Sequence, residues 1–257
     1  MNYAFWQLIH RDLVIFRHDF SRHIINSLIW LISTTVVSRY VMSAMGIQTG
    51  YGSMILFGSI ASLSLFRCVH SIPILISDIE GDGAISYYLT LPTKQHMIFV
   101  RYALSFAITG AIVSLFNTVA SKLILWNVFD LTNLSVFRYL VIFIIMHAFV
   151  GFFGLLLAAY TPSMRYFENV WTRVVFPLWF LGGYQFTWAT LLKQIPGLAY
   201  INLLNPMTYM LEAFRSAFLG QVGYLNFWLC CGVLIVFTIV SAWLAIRKLM
   251  LRLDCVG

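Results

Sequence analysis

Three carboxylates, Asp78, Glu80 and Asp82, stand within five residues, and Gly81 and Gly83 alternate with them. Acids at alternate positions beside glycine suggest first a calcium loop, in which side-chain oxygens ring the ion. That chemistry needs a bidentate glutamate at the twelfth position, and Leu89 stands there. The second chemistry is docking. The acids are followed by Tyr87, Tyr88, Leu89 and Leu91, and Leu91-Pro92 closes the run. An apolar knob beside three acids makes a protein-contact surface. The plain alternative is a solvated loop with a structural turn.

The other candidates are sparser. Ser59, Ser62, Arg67, His70 and Ser71 form a polar stripe within an apolar run. Arg67 and His70 are candidates to line a pathway, because charge inside a membrane span is costly and often functional. Serines also let helices pack closely, and arginine can snorkel, so a packing role stays open. Asn205-Pro206 reads as a helix start, since proline suits the first turn. Tyr209, Glu212 and Arg215 follow, and Glu212 and Arg215, three apart on one face, can pair. His147 reads as a buried hydrogen-bonding histidine, with no second ligand at metal spacing. Cys68, Cys230, Cys231 and Cys255 make no CxxC pair and read as small apolar residues. No glycine-lysine phosphate loop, HExxH or GxSxG occurs. The chain therefore offers no catalytic residue, cofactor site or metal site, which counts against an intramembrane enzyme.

The elements that must position these residues are set by composition. Of 257 residues, 61% are hydrophobic and only 10% charged, with a mean hydropathy of +0.86. Soluble domains carry about 25% charged residues. The expected fold is an all-α polytopic membrane protein in one domain, 1–257. The net charge of +7 fits the basic excess of cytoplasmic loops better than nucleic-acid binding.

Residues 1–22 are amphipathic. Phe5, Ile9, Leu13, Phe16 and Phe20 share one helical face with Trp6 at its edge, and Gln7, Arg11, His18 and Arg22 lie opposite. The pattern predicts an interface helix in the membrane surface. Six runs are long enough to cross: 24–45, 53–76, 99–125, 136–160, 170–192 and 227–246. With the N-terminus inside, ten Lys and Arg fall on the cytoplasmic side and five outside, which predicts both termini in the cytoplasm. Residues 77–98 then form a cytoplasmic loop. Residues 193–226 carry Pro196, Gly197, Pro206 and Gly220 around an apolar run too short to cross, and predict a re-entrant hairpin on the outer side before the last span.

This arrangement resembles the membrane subunit of type-2 ABC exporters. Two segments carry the likeness. One is Asp78-Ile79-Glu80-Gly81 through Leu89-Thr90-Leu91-Pro92, with Arg101 opening the next span; the other is Leu204-Asn205-Pro206-Met207-Thr208-Tyr209 with Glu212 and Arg215. The order of elements agrees over nearly the whole chain. The resemblance implies a permease in the cytoplasmic membrane of a bacterium, exporting an amphipathic substrate such as a lipid-linked glycan, a lipid or a drug. It implies a second copy of the chain as partner, and a separate ABC ATPase that holds ATP and Mg. It makes 77–92 the segment that couples to that ATPase, and 205–215 part of an outer gate. Many relatives carry a further glutamate soon after the loop glycine. Here Ala84-Ile85-Ser86 follow Gly83, so Glu80 or Asp82 would have to substitute. The competing expectation is an ion-coupled secondary transporter, which calls for broken helices and an acid near the midplane.

Overall fold

The computed structural model describes residues 2–46, 50–80, 84–91, 93–124, 126, 129 and 131–254. All regular structure among the described residues is helical. In order these are α1 (Asn2–His18), α2 (Phe20–Ala44, with a π-turn at Val37–Val41), α3 (Tyr51–Glu80), α4 (Ala84–Leu89), α5 (Gln95–Ile124) and α6 (Val136–Tyr160). A segmented run, α7 (167–184), comes next. Then follow α8 (Trp188–Gln194), α9 (Pro196–Asn202), α10 (Pro206–Leu219) and α11 (Phe227–Asp254).

Among the described residues five helices are long and apolar enough to cross a membrane: α2, α3, α5, α6 and the Phe227–Leu253 part of α11. The expected run at 170–192 takes a different form. Short α-helical pieces, Phe167–Val170 and Phe176–Trp179, alternate with π-turns at Trp171–Val175 and Phe180–Tyr184. Pro177 lacks the N–H that a regular ladder needs, and Gly183 turns to φ +94°, where a side chain would be strained. The helix ends there, and α8 starts a separate element.

The bundle is built around α3. Leu56, Phe57, Ile60 and Cys68 on different sides of it are fully buried, as in a helix enclosed by others. Small residues set its closest contacts. A Cβ on Gly151 of α6 would overlap the Ala103 carbonyl of α5, and one on Gly154 would overlap Cys68 Sγ. Lipid offers helices no hydrophobic reason to associate, so close van der Waals packing carries more of the association. By contrast α2 and α11 expose Ile25, Ile29, Val37, Trp228, Val236, Ile239 and Trp243. Apolar faces of that extent match a hydrocarbon surrounding. The structure thus has two ends. At one lie α1, α4, the start of α5 and the ends of α3 and α11. At the other lie the start of α3 and the short helices α8–α10.

Candidate functional site: two clasped ends and an aromatic cavity

The acidic segment is clasped at the first end. Gly81, Asp82 and Pro92 lie outside the described residues. Tyr102 of α5 donates to Asp78 Oδ2 at 2.5 Å. Glu80 accepts from Arg252 Nη2 of α11 at 3.4 Å and from the Met164 backbone N–H at 3.3 Å. Arg252 also donates to the carbonyls of Thr161 and Pro162, at 2.8 and 2.6 Å, just past α6. Asp78 and Glu80 thus tie α3 to α5, α6 and α11, a use the sequence reading did not foresee.

The tyrosines divide. Tyr87 is 65% exposed, Tyr88 only 6%. The expected knob is therefore split: Tyr87 faces out, Leu91 is half-buried against the core, and Tyr88 points inward. There Tyr88 lies between two guanidinium groups. Arg11 of α1 donates to its hydroxyl, and the Arg11 and Arg101 Cζ atoms stand 5.1 and 4.9 Å from its ring centre. Arg101, buried, pairs with Asp12 at 3.2 Å and lies 4.0 Å from the Tyr102 ring centre. Burial would lower the Arg11 pKa, but hydrogen bonds to Tyr88 and Asp12 outweigh it and hold the group above its ordinary value. Arg11, placed by periodicity on the water-facing side, thus joins α1 to α4, and the neighbouring Asp12 joins α1 to α5. Adjacent opposite charges, Arg11 and Asp12, were the signal available in the sequence.

Between the ends a cavity of about 680 Å³ opens between α2, α3 and α7. Trp30, Phe66, Trp171 and Trp179 form its walls, and His23, Arg67 and His70 supply its polar edge. Arg67 donates to Ser71 Oγ at 2.7 Å and lies over the Phe16 ring of α1 at 5.0 Å. Ser59 and Ser62 do not join this edge. They are fully buried, Ser62 accepting from Trp179 Nε1 at 2.7 Å and Ser59 lying 3.0 Å from Tyr184 Oη. The stripe read from sequence therefore separates into packing serines and a cavity-facing Arg67 and His70. His147 is buried as expected, with Nδ1 2.6 Å from the Phe143 carbonyl.

At the second end α10 is almost wholly buried, yet it is too short to cross, about 21 Å against roughly 30 Å of hydrocarbon. Asn205 caps it, accepting from Met207 N at 2.9 Å, with Pro206 in the first turn; its amide donates to the Leu178 carbonyl of α7 at 2.7 Å. Tyr209 donates to the Leu203 carbonyl at 2.7 Å. Glu212 and Arg215 share a face, but among the described residues no ion pair joins them. Each serves broken backbone instead. Arg215 donates to the carbonyls of Met54, Gly183, Tyr184 and Phe186, at 3.0, 2.6, 2.6 and 3.2 Å. Glu212 accepts from the N–H groups of Trp188 and Leu225, both at 2.9 Å. Where a helix breaks away from water its orphan groups need partners, and these two side chains supply both kinds.

These features define a multi-pass helical membrane protein. The chain belongs to the ABC-2 type transporter family, whose family model matches residues 3–219, from α1 through α10. No curated protein matches the chain. Family membership makes it a membrane domain of an ABC transporter.

Proposed function

We propose that this chain is the permease subunit of an ATP-driven exporter that moves an amphipathic substrate out across the cytoplasmic membrane of a bacterium. Two copies would pair, and each would dock an ATPase subunit carrying ATP and Mg. On this reading α7 is the sixth crossing element, α8–α10 re-enter the membrane from outside as the outer gate, and α1 lies in the inner surface with both termini cytoplasmic.

The observation that carries the reading is the placement of Tyr88. The exposed face of α4, with Tyr87 on it, is the surface offered to the motor. Its buried face grips Arg11 on α1 and lies against Arg101 at the start of α5. A push on α4 therefore reaches the surface helix through the part-exposed Arg11 and a crossing helix through the buried Arg101, whose desolvated contact resists separation more than an exposed one does. The substrate path is the aromatic cavity. Arg67 on its edge rests on Phe16 of α1, so motion of α1 reaches the cavity as well. A secondary transporter would need a free acid near the midplane. Glu212 is bonded to two backbone N–H groups instead.

The test is reconstitution. The chain is co-expressed with a candidate ABC ATPase, sought first in the neighbouring reading frame, extracted gently and placed in proteoliposomes. Co-purification, and ATP hydrolysis that rises with the permease present, is the expected result. An ATPase that neither binds the chain nor responds to it overturns the reading.

A further inference from the structure

We propose that the cavity between α2, α3 and α7 is an anion-selective subsite. It takes an amphiphile whose phosphate or carboxylate sits on Arg67 and whose apolar part lies against Trp30, Phe66 and Trp179. The inference rests on the reading that the chain moves an amphiphile, and is independent of the motor.

Four arginines packed within the bundle, two buried and two half-buried, are satisfied in different ways. Arg101 has the opposite charge of Asp12, although its Nε and Nη1 make no hydrogen bond, and Arg252 has Glu80 and two carbonyls. Arg215 has four carbonyls. Arg67 has one serine hydroxyl and the face of Phe16, and its Nε has no hydrogen-bond partner. A guanidinium away from water is costly until it is paired. Its planar fork matches the paired oxygens of a phosphate or carboxylate.

Among the described residues no acid forms an ion pair with Arg67; Asp19 acts on it only at longer range. Among the described residues no acid lines the large cavity. A smaller cavity of about 260 Å³ adjoins it and shares His23, Arg67 and His70. Of the acids lining that one, Asp12 pairs with Arg101 and Asp78 accepts from Tyr102, while Asp19 forms an exposed pair with Arg22. The local field at Arg67 is therefore positive, and low-dielectric walls focus it. The aromatic walls fix the rest of the ligand. Their volume suits a headgroup and the first part of a chain or ring system, since drug-sized pockets run about 300–1,000 Å³.

The probe is dodecyl phosphate, with uncharged dodecyl maltoside as its partner, added below their micellar concentrations to the protein in phosphatidylcholine nanodiscs. Trp30, Trp171 and Trp179 line the cavity, so intrinsic fluorescence reports occupancy. Dodecyl phosphate should bind saturably and at least about tenfold more tightly than the maltoside, the worth of one charge-assisted hydrogen bond. Arg67→Gln should remove that preference and leave maltoside binding unchanged, and Arg67→Lys should retain part of it. Equal affinity of the wild type for the two probes overturns the proposal without reference to any variant, and so does an undiminished preference in Arg67→Gln. Discs containing phosphatidylglycerol assign the source. Loss of probe binding there identifies a resident anionic lipid as the occupant, and retained binding a transported acid; both outcomes support the anion subsite. No ATPase enters the measurement, so a failure here leaves the coupling experiment intact, and the reverse.

Discussion

A methyl group on Gly58 of α3 would overlap the guanidinium of Arg215 on α10. The absence of a side chain at residue 58 is what lets Arg215 lie flat across α3 and reach the carbonyls of Gly183 and Tyr184. Replacing a helical glycine by alanine ordinarily stabilises by about 0.5–1 kcal/mol. Here Gly58→Ala should destabilise by about 1–3 kcal/mol through overpacking and loss of those bonds. Gly232 of α11, where a Cβ would meet no other side chain or element within 4 Å, is the control, and Gly232→Ala should be neutral or stabilising. Thermal unfolding in detergent reads both. A Gly58→Ala variant as stable as Gly232→Ala would show that Arg215 moves aside at little cost.

Glu212 is the acceptor half of the same clasp. It is 1% exposed and bonds the N–H of Trp188 and of Leu225. Glu212→Ala should cost about 1–3 kcal/mol for each N–H left buried and unpaired. Glu212→Gln keeps one acceptor oxygen and should fall between alanine and wild type. Hydrogen exchange at the Trp188 and Leu225 amides should accelerate in the alanine variant before the core spans do. Unchanged protection at both amides would mean that water already serves them.

Much of this was legible in the sequence. Apolar length and low charge gave the long helices, and Asn205-Pro206 gave the start of α10, because caps and proline act locally. The break in α7 was legible only as Pro177 and Gly182-Gly183 inside an apolar run, and hydropathy does not distinguish a continuous helix from one with π-turns. Glu212 and Arg215 read as a pair because spacing reveals a shared face. It does not reveal the unpaired backbone groups waiting on other elements. The inward turn of Tyr88 was equally hidden, since it depends on Arg11, which lies 77 residues away in the chain.

The placement of the hairpin can be tested by labelling. Gln194 on α8 is exposed, and Val222, after α10, is 94% exposed. Cysteines at these positions, in a background without Cys68, Cys230, Cys231 and Cys255, should react with impermeant maleimide added outside intact cells. A cysteine at Lys94, an exposed residue before α5, should react only after permeabilisation. The opposite pattern reverses the orientation and with it the outer-gate role of 205–215.

The two tyrosines of α4 separate docking from transmission. Tyr87 is exposed and touches little of the permease that a truncation would disturb. Tyr87→Ala should leave thermal stability within about 0.5 kcal/mol, as for most surface changes. It should nonetheless weaken binding of the ATPase, because exposed aromatics are common anchors of an interface. Tyr88→Ala should act differently. Its ring fills the space between Arg11 and Arg101, so removal should cost about 3–5 kcal/mol, the range for a buried aromatic, and loosen α1 from the bundle. Tyr88→Phe keeps the ring between the two guanidinium groups and loses only the hydroxyl that Arg11 bonds. That variant should fold and bind the ATPase like the wild type, while the permease's stimulation of hydrolysis falls, because the link from α4 to α1 is weakened. Binding measured by co-purification and stimulation measured in proteoliposomes keep the two effects apart. If Tyr87→Ala binds and stimulates normally, α4 is not the docking surface. If Tyr88→Phe stimulates normally, the Arg11 bond is structural and the motion passes to α5 through Arg101 alone.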